Sequence, residues 1–187
     1  MDKDKLMIRY CFIESESTGL VQLGVGCSDE YYESIGMEKR NVDQSEVDGQ
    51  WYLKNKCPHY TEEEKLSIAK NKKYEEALDS ATAYIEYESA FKFDENNSIE
   101  ATDGNIGKFT AYALAFQSGL VEQVEWTSKE DNVITLTADN ILAILVGLGE
   151  IQAQVWNVQF VNYKNQIEEA TTVEDVESIE INYGNIQ

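Results

Sequence analysis

One proline, one histidine and three cysteines are all that 187 residues hold of the types that most often break, ligate or cross-link a chain. With Pro58 alone, proline-rich linkers are excluded. Cys11, Cys27 and Cys57 are odd in number and irregularly spaced, which does not make a disulfide framework. Cations are scarce too: 15 Lys and Arg stand against 35 Asp and Glu, a net charge of −20. The shortage is uneven. Residues 1–73 carry 11 basic and 14 acidic side chains, whereas residues 74–187 carry 4 and 21, a net of −17. Phosphate contacts need clustered Lys or Arg, so direct nucleic-acid binding by the second segment is not expected. No run approaches the ~18 apolar residues of a membrane helix, so no membrane partner is expected. The opening Met-Asp-Lys-Asp-Lys leads only into a short apolar run interrupted by Arg9, which predicts no export signal.

What is present is ordinary globular material, 42% hydrophobic and rich in rigid apolar surface from eleven tyrosines and three tryptophans. The pattern predicts an α+β fold: an N-terminal β-hairpin leader followed by a helix–hairpin–helix–hairpin–long-helix domain. Residues 1–60 form the β-rich leader module and residues 61–187 the helical domain. In the leader, residues 6–13 and 20–25 read as paired strands around a polar loop ending in Gly19. Ser28 caps a short helical turn closed by Gly36. Residues 42–53 are extended at both ends around a turn at Val47-Asp48-Gly49.

Thr61 and Glu64 form a capping box, and Leu66, Ala69, Tyr74, Ala77/Leu78, Ala81 and Tyr84/Ile85 then recur on one face at helical spacing. The polar run Lys70-Asn-Lys-Lys73 could divide that helix. Residues 91–101 suggest a small hairpin, with turn chemistry at residues 94–97 and again at Asp103-Gly104-Asn105. A second helix is expected from Gly107 to a stop at Gly119. Val124-Glu-Trp126-Thr pairs with Val133-Ile-Thr-Leu136 across residues 128–132. Thr137 caps the last large helix, with Asp139 at the anion-favouring first turn. Residues 179–183 read as a closing strand.

That last helix runs without proline from Ala138 to about Ala170, on the order of 45 Å at 1.5 Å per residue. Ile141/Ile144, Leu148/Ile151 and Val155/Val158 repeat in alternating steps of three and four, which makes three heptads. Two roles are open for this seam. It is either a subunit interface, with a trimer favoured as in fibre-like parts, or the face on which the domain packs internally. Trp156, Phe160 and Tyr163 lie off the seam and make the helix apolar on more than one side.

Reactive constellations are hard to find. Cys57 and His59 are two residues apart, but zinc normally takes four ligands and the finger spacings are missing. A Cys57–His59 nucleophile pair lacks an orienting third group. Residues 94–100 place oxygens at alternate positions as a calcium loop does, yet Ile99 stands where glycine belongs and Asn105 where glutamate belongs. Gly24, Gly26, Gly147 and Gly149 form no phosphate cradle at a strand-to-helix junction. No catalytic, cofactor or metal site is expected.

Several stretches carry a likeness to a known family: Tyr74-Glu-Glu-Ala-Leu78, Val124-Glu-Trp126-Thr127, Leu136-Thr137-Ala138 and Lys164-Asn-Gln-Ile167-Glu-Glu-Ala170-Thr171. Their order resembles a domain of unknown function found in small phage and prophage tail-fibre, tail-fibre assembly and baseplate-associated proteins. The likeness is best over residues 74–183. The leader, with Gly24-Val25-Gly26 and Val47-Asp48-Gly49-Gln-Trp51-Tyr52-Leu53, is similar to the short β-rich lead-in of such proteins. The resemblance implies a non-catalytic virion tail component, or an assembly factor for one, built in the bacterial cytoplasm and bound to other tail or fibre proteins. Contacts are then expected at Trp51, Tyr52, Trp126 and Trp156, and along Ile144, Leu148, Ile151, Val155 and Val158. An alternative from another class is an acidic protein that mimics DNA and blocks a host nuclease or regulator.

Overall fold

A computed structural model describes residues 7–184. Leu6, expected to open the first strand, lies outside the described residues, as does the stretch before it. The protein is mixed, 49% helical and 19% strand. The chain divides into two compact units, residues 1–68 and residues 69–187.

In the first unit the two extended stretches join into a single closed antiparallel sheet. Its strands are β1 (Ile8–Ile13), β2 (Leu20–Leu23), β3 (Glu38–Gln44) and β4 (Trp51–Leu53), in the order β1-β2-β4-β3 with β3 returning to β1. Closure leaves no free edge to pair with other chains. Register sets Cys11 against Leu23, Val21 against Trp51 and Val42 against Leu53. Cys11, Val21 and Val42 fill the middle, with Ile13, Leu23, Trp51 and Leu53 around them. Helix α1 (Asp29–Ser34) starts at Ser28, whose hydroxyl accepts from the Tyr31 amide. Its Tyr32 ring stacks 5.3 Å from Tyr10, and the Tyr10 hydroxyl donates to Glu33 at 2.7 Å.

Helix α2 (Glu62–Ala83) opens with the capping box. The Thr61 amide donates to the Glu64 carboxylate at 2.8 Å, and the Glu64 amide donates back to Thr61 Oγ1 at 3.2 Å. It runs unbroken through residues 70–73. Lys70 and Lys73 there donate to the carbonyls of Glu168 and Ile179, so that run ties distant chain together instead of ending the helix. A wider π turn (Tyr84–Glu88) follows, then the hairpin β5 (Ala90–Lys92) and β6 (Ser98–Glu100).

Helix α3 spans Asp103–Gln117 and so begins earlier than expected. Asp103-Gly104-Asn105 is its first turn, because Thr102 takes the cap position and accepts from the Asn105 amide. The turn-forming residue types there serve as a helix start. Gly119 ends the helix at φ +69°. The hairpin β7 (Val124–Thr127) and β8 (Val133–Leu136) pairs Trp126 with Ile134.

Thr137 and Asn140 then cap α4 (Ala138–Ala153), which continues through a seven-residue π segment (Gln154–Phe160) into α5 (Val161–Glu169). Helix α6 (Val173–Glu177) starts at a second capping box, Thr172 with Asp175. Residues 179–183 do not form the expected strand. The chain there is held by side chains: the Tyr183 hydroxyl donates to the Ala77 carbonyl at 3.1 Å, and the Tyr163 hydroxyl to the Asn182 carbonyl at 2.9 Å.

Two clusters form the core of the second unit. Ile99, Ala101, Phe109, Leu136, Ile141, Ile144 and Leu148 make the larger one, and Ala81, Ile85, Val155 and Tyr183 the smaller. Each fully buried aliphatic side chain contributes about 1.5–3 kcal/mol relative to exposure, and α4 supplies three of them, Ile141, Ile144 and Leu148, to the larger cluster.

Candidate interaction face

The structure separates the residues expected to make contacts. Ile144, Leu148 and Val155 are completely buried within their own unit. This corrects their assignment to a subunit seam, since a side chain sealed under its own hairpins and helices has no surface for a partner. Ile151 is half-buried between the two core clusters. Val158 leaves the seam and is 52% exposed. The cause is the π segment Gln154–Phe160, whose wider turns advance the helix surface by more than the 3.5-residue heptad step.

The aromatic candidates are all half-buried. Trp51 packs on the Cys11–Val21–Val42 cluster, and the Tyr52 hydroxyl donates to Asp48 at 2.8 Å. Trp126 stacks 4.5 Å from Phe109 with Lys108 5.4 Å from its ring, so most of its apolar area already serves the core. Trp156 meets Phe160 edge-on at 5.6 Å.

The Cys57–His59 stretch lines a small cavity of about 180 Å³ with Asp43, Glu46, Tyr60 and Lys65. Burial, then the nearby Asp43, Asp48 and Glu46 carboxylates, push the Cys57 thiol up. That suppresses the thiolate a nucleophile or metal ligand requires. Among the described residues no group of three or more His, Cys, Asp or Glu is placed to hold a metal ion.

At residues 94–100 the Asp94 and Glu100 carboxylates are engaged within the protein, Glu100 by the Asn105 side chain. Asp94 accepts from the Asn96 amide and the Asn97 side chain. Glu130, from the β7–β8 loop, accepts from the Ser98 hydroxyl and from its amide at 2.8 Å. These bonds from Ser98 hold the Glu130 carboxyl down to about 2. Lys129 adds its amide to the Ser98 carbonyl at 2.9 Å, so the two hairpin loops are fastened together. This is structural work for oxygens that resemble a cation loop in sequence.

The surface the sequence reading missed is the other side of α4. Leu142 and Val146 are 59% and 61% exposed, and Gly149 and Ala153 continue the same face. Beside Leu142, an apolar groove of about 460 Å³ is lined by Thr110, Ala113, Leu114, Phe116 and Ala138, with Leu114 60% exposed. Large apolar side chains clustered on a surface mark binding faces more often than scattered ones do. The signal was available: residues 142, 146, 149 and 153 also step by four and three. The Ala138–Glu169 run is in addition long and apolar enough to cross a membrane by length and composition, contrary to the sequence expectation. Its buried face is, however, taken up by Ile141, Ile144, Leu148 and Val155 in the clusters above. Comparison of the chain with protein-family models, curated proteins and solved structures returns no match.

Proposed function

We propose that the chain is a structural or assembly component of a bacteriophage-type tail that acts by binding other proteins and catalyses nothing. The observation that carries the binding reading is the exposed apolar face of α4 with its α3 flank, Leu142, Val146 and Leu114. The assignment to a tail rests on the resemblance of residues 74–183 and on the order implied by it, a β leader ahead of helix, hairpin, helix, hairpin and long helix. Other tail or fibre proteins are the partners in this reading, and the virion tail, assembled in bacterial cytoplasm, is the location. The test is mass spectrometry of purified particles from a producing strain against the cleared lysate. Presence in particles at fixed stoichiometry supports a tail part. Abundance in lysate with absence from particles removes the tail-part reading and leaves an assembly role or an acidic DNA mimic, which their partners separate.

A second reading, a DNA mimic that blocks a host nuclease or regulator, has one observation in its favour. Every carboxylate between residues 74 and 183 except Glu100 is exposed, and just four cations share that stretch. Salt-sensitive capture of a basic DNA-binding protein, reversed by duplex DNA, is its expected signature.

A further inference from the structure

Helix α4 contains two glycines two residues apart, and the fold explains one of them. A Cβ on Gly147 would stand 2.1 Å from the Phe91 ring, so glycine is what lets β5 pack on the helix. A Cβ on Gly149 would meet nothing within 4 Å. Glycine inside a helix is destabilising relative to alanine, and among the described residues no close neighbour at Gly149 requires it. Its place is the middle of the exposed stripe Leu142, Val146, Gly149, Ala153. A flat, glycine-centred apolar stripe admits close approach by another backbone.

The order of side chains along the stripe says which backbone. The large residues, Leu142 and Val146, lie toward the N-terminal end, and the small ones, Gly149 and Ala153, toward the C-terminal end. Consider a second copy laid antiparallel about a two-fold axis at the level between Gly147 and Leu148. Leu142 then stands opposite Ala153 of the second copy, and Val146 opposite its Gly149. Every large side chain meets a small one, in both halves. A parallel arrangement would set large on large and leave a gap beyond.

Charge agrees with the same register. The two acids of α4, Asp139 and Glu150, fall opposite positions 156 and 145, which are Trp156 and Leu145. Within α4, a second copy in this register therefore sets no carboxylate opposite another. Specific interfaces bury roughly 1,000 Å² or more in total, and a two-fold contact counts the stripe and its Leu114 flank twice. We infer that the protein forms an antiparallel homodimer through the outward face of α4. This dimer stands whether or not the chain belongs to a tail, and it uses the side of the helix opposite to the heptad seam.

The test is the molar mass of the 187-residue chain by sedimentation equilibrium across a dilution series. Twice 21.3 kDa, falling toward 21.3 kDa on dilution, is expected. Gly149→Leu and Ala153→Leu should each weaken the dimer at least ~10-fold, the loss that follows from 1.4 kcal/mol of lost contact. Leu142→Ala should weaken it as well. The exchange Leu142→Ala with Ala153→Leu keeps one large and one small residue at that level and should restore the dimer. Because Gly149 faces open space, Gly149→Leu keeps the fold, which circular dichroism checks. The inference is overturned by a monomer at concentrations up to ~100 µM, by a mass of three copies, or by a dimer indifferent to Gly149→Leu. A monomer that floats with lipid vesicles would assign the face to a membrane and overturn it equally.

Discussion

The two long faces of α4 are built from similar residues and serve different ends. Inward, Ile141, Ile144 and Leu148 are fully buried, with Gly147 opening room for Phe91. Outward, Leu142, Val146, Gly149 and Ala153 are exposed, and a Cβ on Gly149 would meet none of the described residues within 4 Å. Composition does not tell these faces apart, since each has branched aliphatics and one glycine at heptad-like spacing. The difference lies in what the rest of the chain places against them. The β5–β6 hairpin and α3 cover one side, and their residues set that choice from a distance in sequence. An apolar helix face therefore signals burial somewhere, and only the neighbouring elements decide whether burial is internal.

The contrast is broken most sharply by deleting one side chain from each face. Leu148→Ala removes a fully buried side chain from the larger cluster and should cost about 2–5 kcal/mol, from lost transfer energy and the cavity left behind. Val146→Ala, on the outward face, should stay within about 0.5 kcal/mol when the chain is dilute enough to be monomeric. Urea midpoints of the two variants measure both. Comparable losses would mean the outward face is part of the core. The glycines give a smaller effect with opposite signs. Gly147→Ala drives a methyl into Phe91 and should cost about 1–3 kcal/mol by overpacking. Gly149→Ala, facing open space, should stabilise the dilute chain by up to about 1 kcal/mol through helix propensity. Thermal unfolding of the pair reads the sign directly, and a matching sign would remove the distinction between the two positions.

The sequence was most legible where local chemistry decides. Thr61 with Glu64, Ser28, Thr137 and Thr172 all cap helices as their residue types indicate, and Gly119 stops α3. Trp126 was legible as a hairpin residue because Val124–Thr127 and Val133–Leu136 alternate around a polar loop. Legibility failed where a distant element overrides the local signal. Asp103-Gly104-Asn105 carries turn residues, yet Thr102 caps them into α3. Residues 179–183 have strand character, but Lys73, the Ala77 carbonyl and the Tyr163 hydroxyl hold them by separate hydrogen bonds instead of a ladder. The seam reading placed Val158 with Val155, and a π segment with no clear composition signal turned it outward. The candidate face was the least legible, because the stripe opposite the best heptad seam becomes visible only once that seam is known to be buried.

The smallest effect concerns pH, and it also separates the faces. Glu130 grips Ser98, the residue beside Ile99, and Ile99 packs in the cluster beneath the inward face of α4. The outward stripe has no such acceptor among the bonds that define it. Because the folded-state value of Glu130 is about 2 against an ordinary 4.5, its grip contributes fully above pH 4.5. That contribution is lost progressively as pH falls from there through about 2, where the folded carboxylate takes up its proton. The expected signature is an acid step in the Ser98 amide and Ile99 methyl resonances with its midpoint near 2. Glu130→Gln should abolish that step and leave the Leu142 and Val146 methyls where they are in the parent chain. A Ser98 step centred near 4.5 would show that the loops are not fastened through Glu130. A Val146 response that follows the Glu130 substitution would show that the two faces are coupled, and the distinction between a committed inward side and a free outward one would then have to be given up.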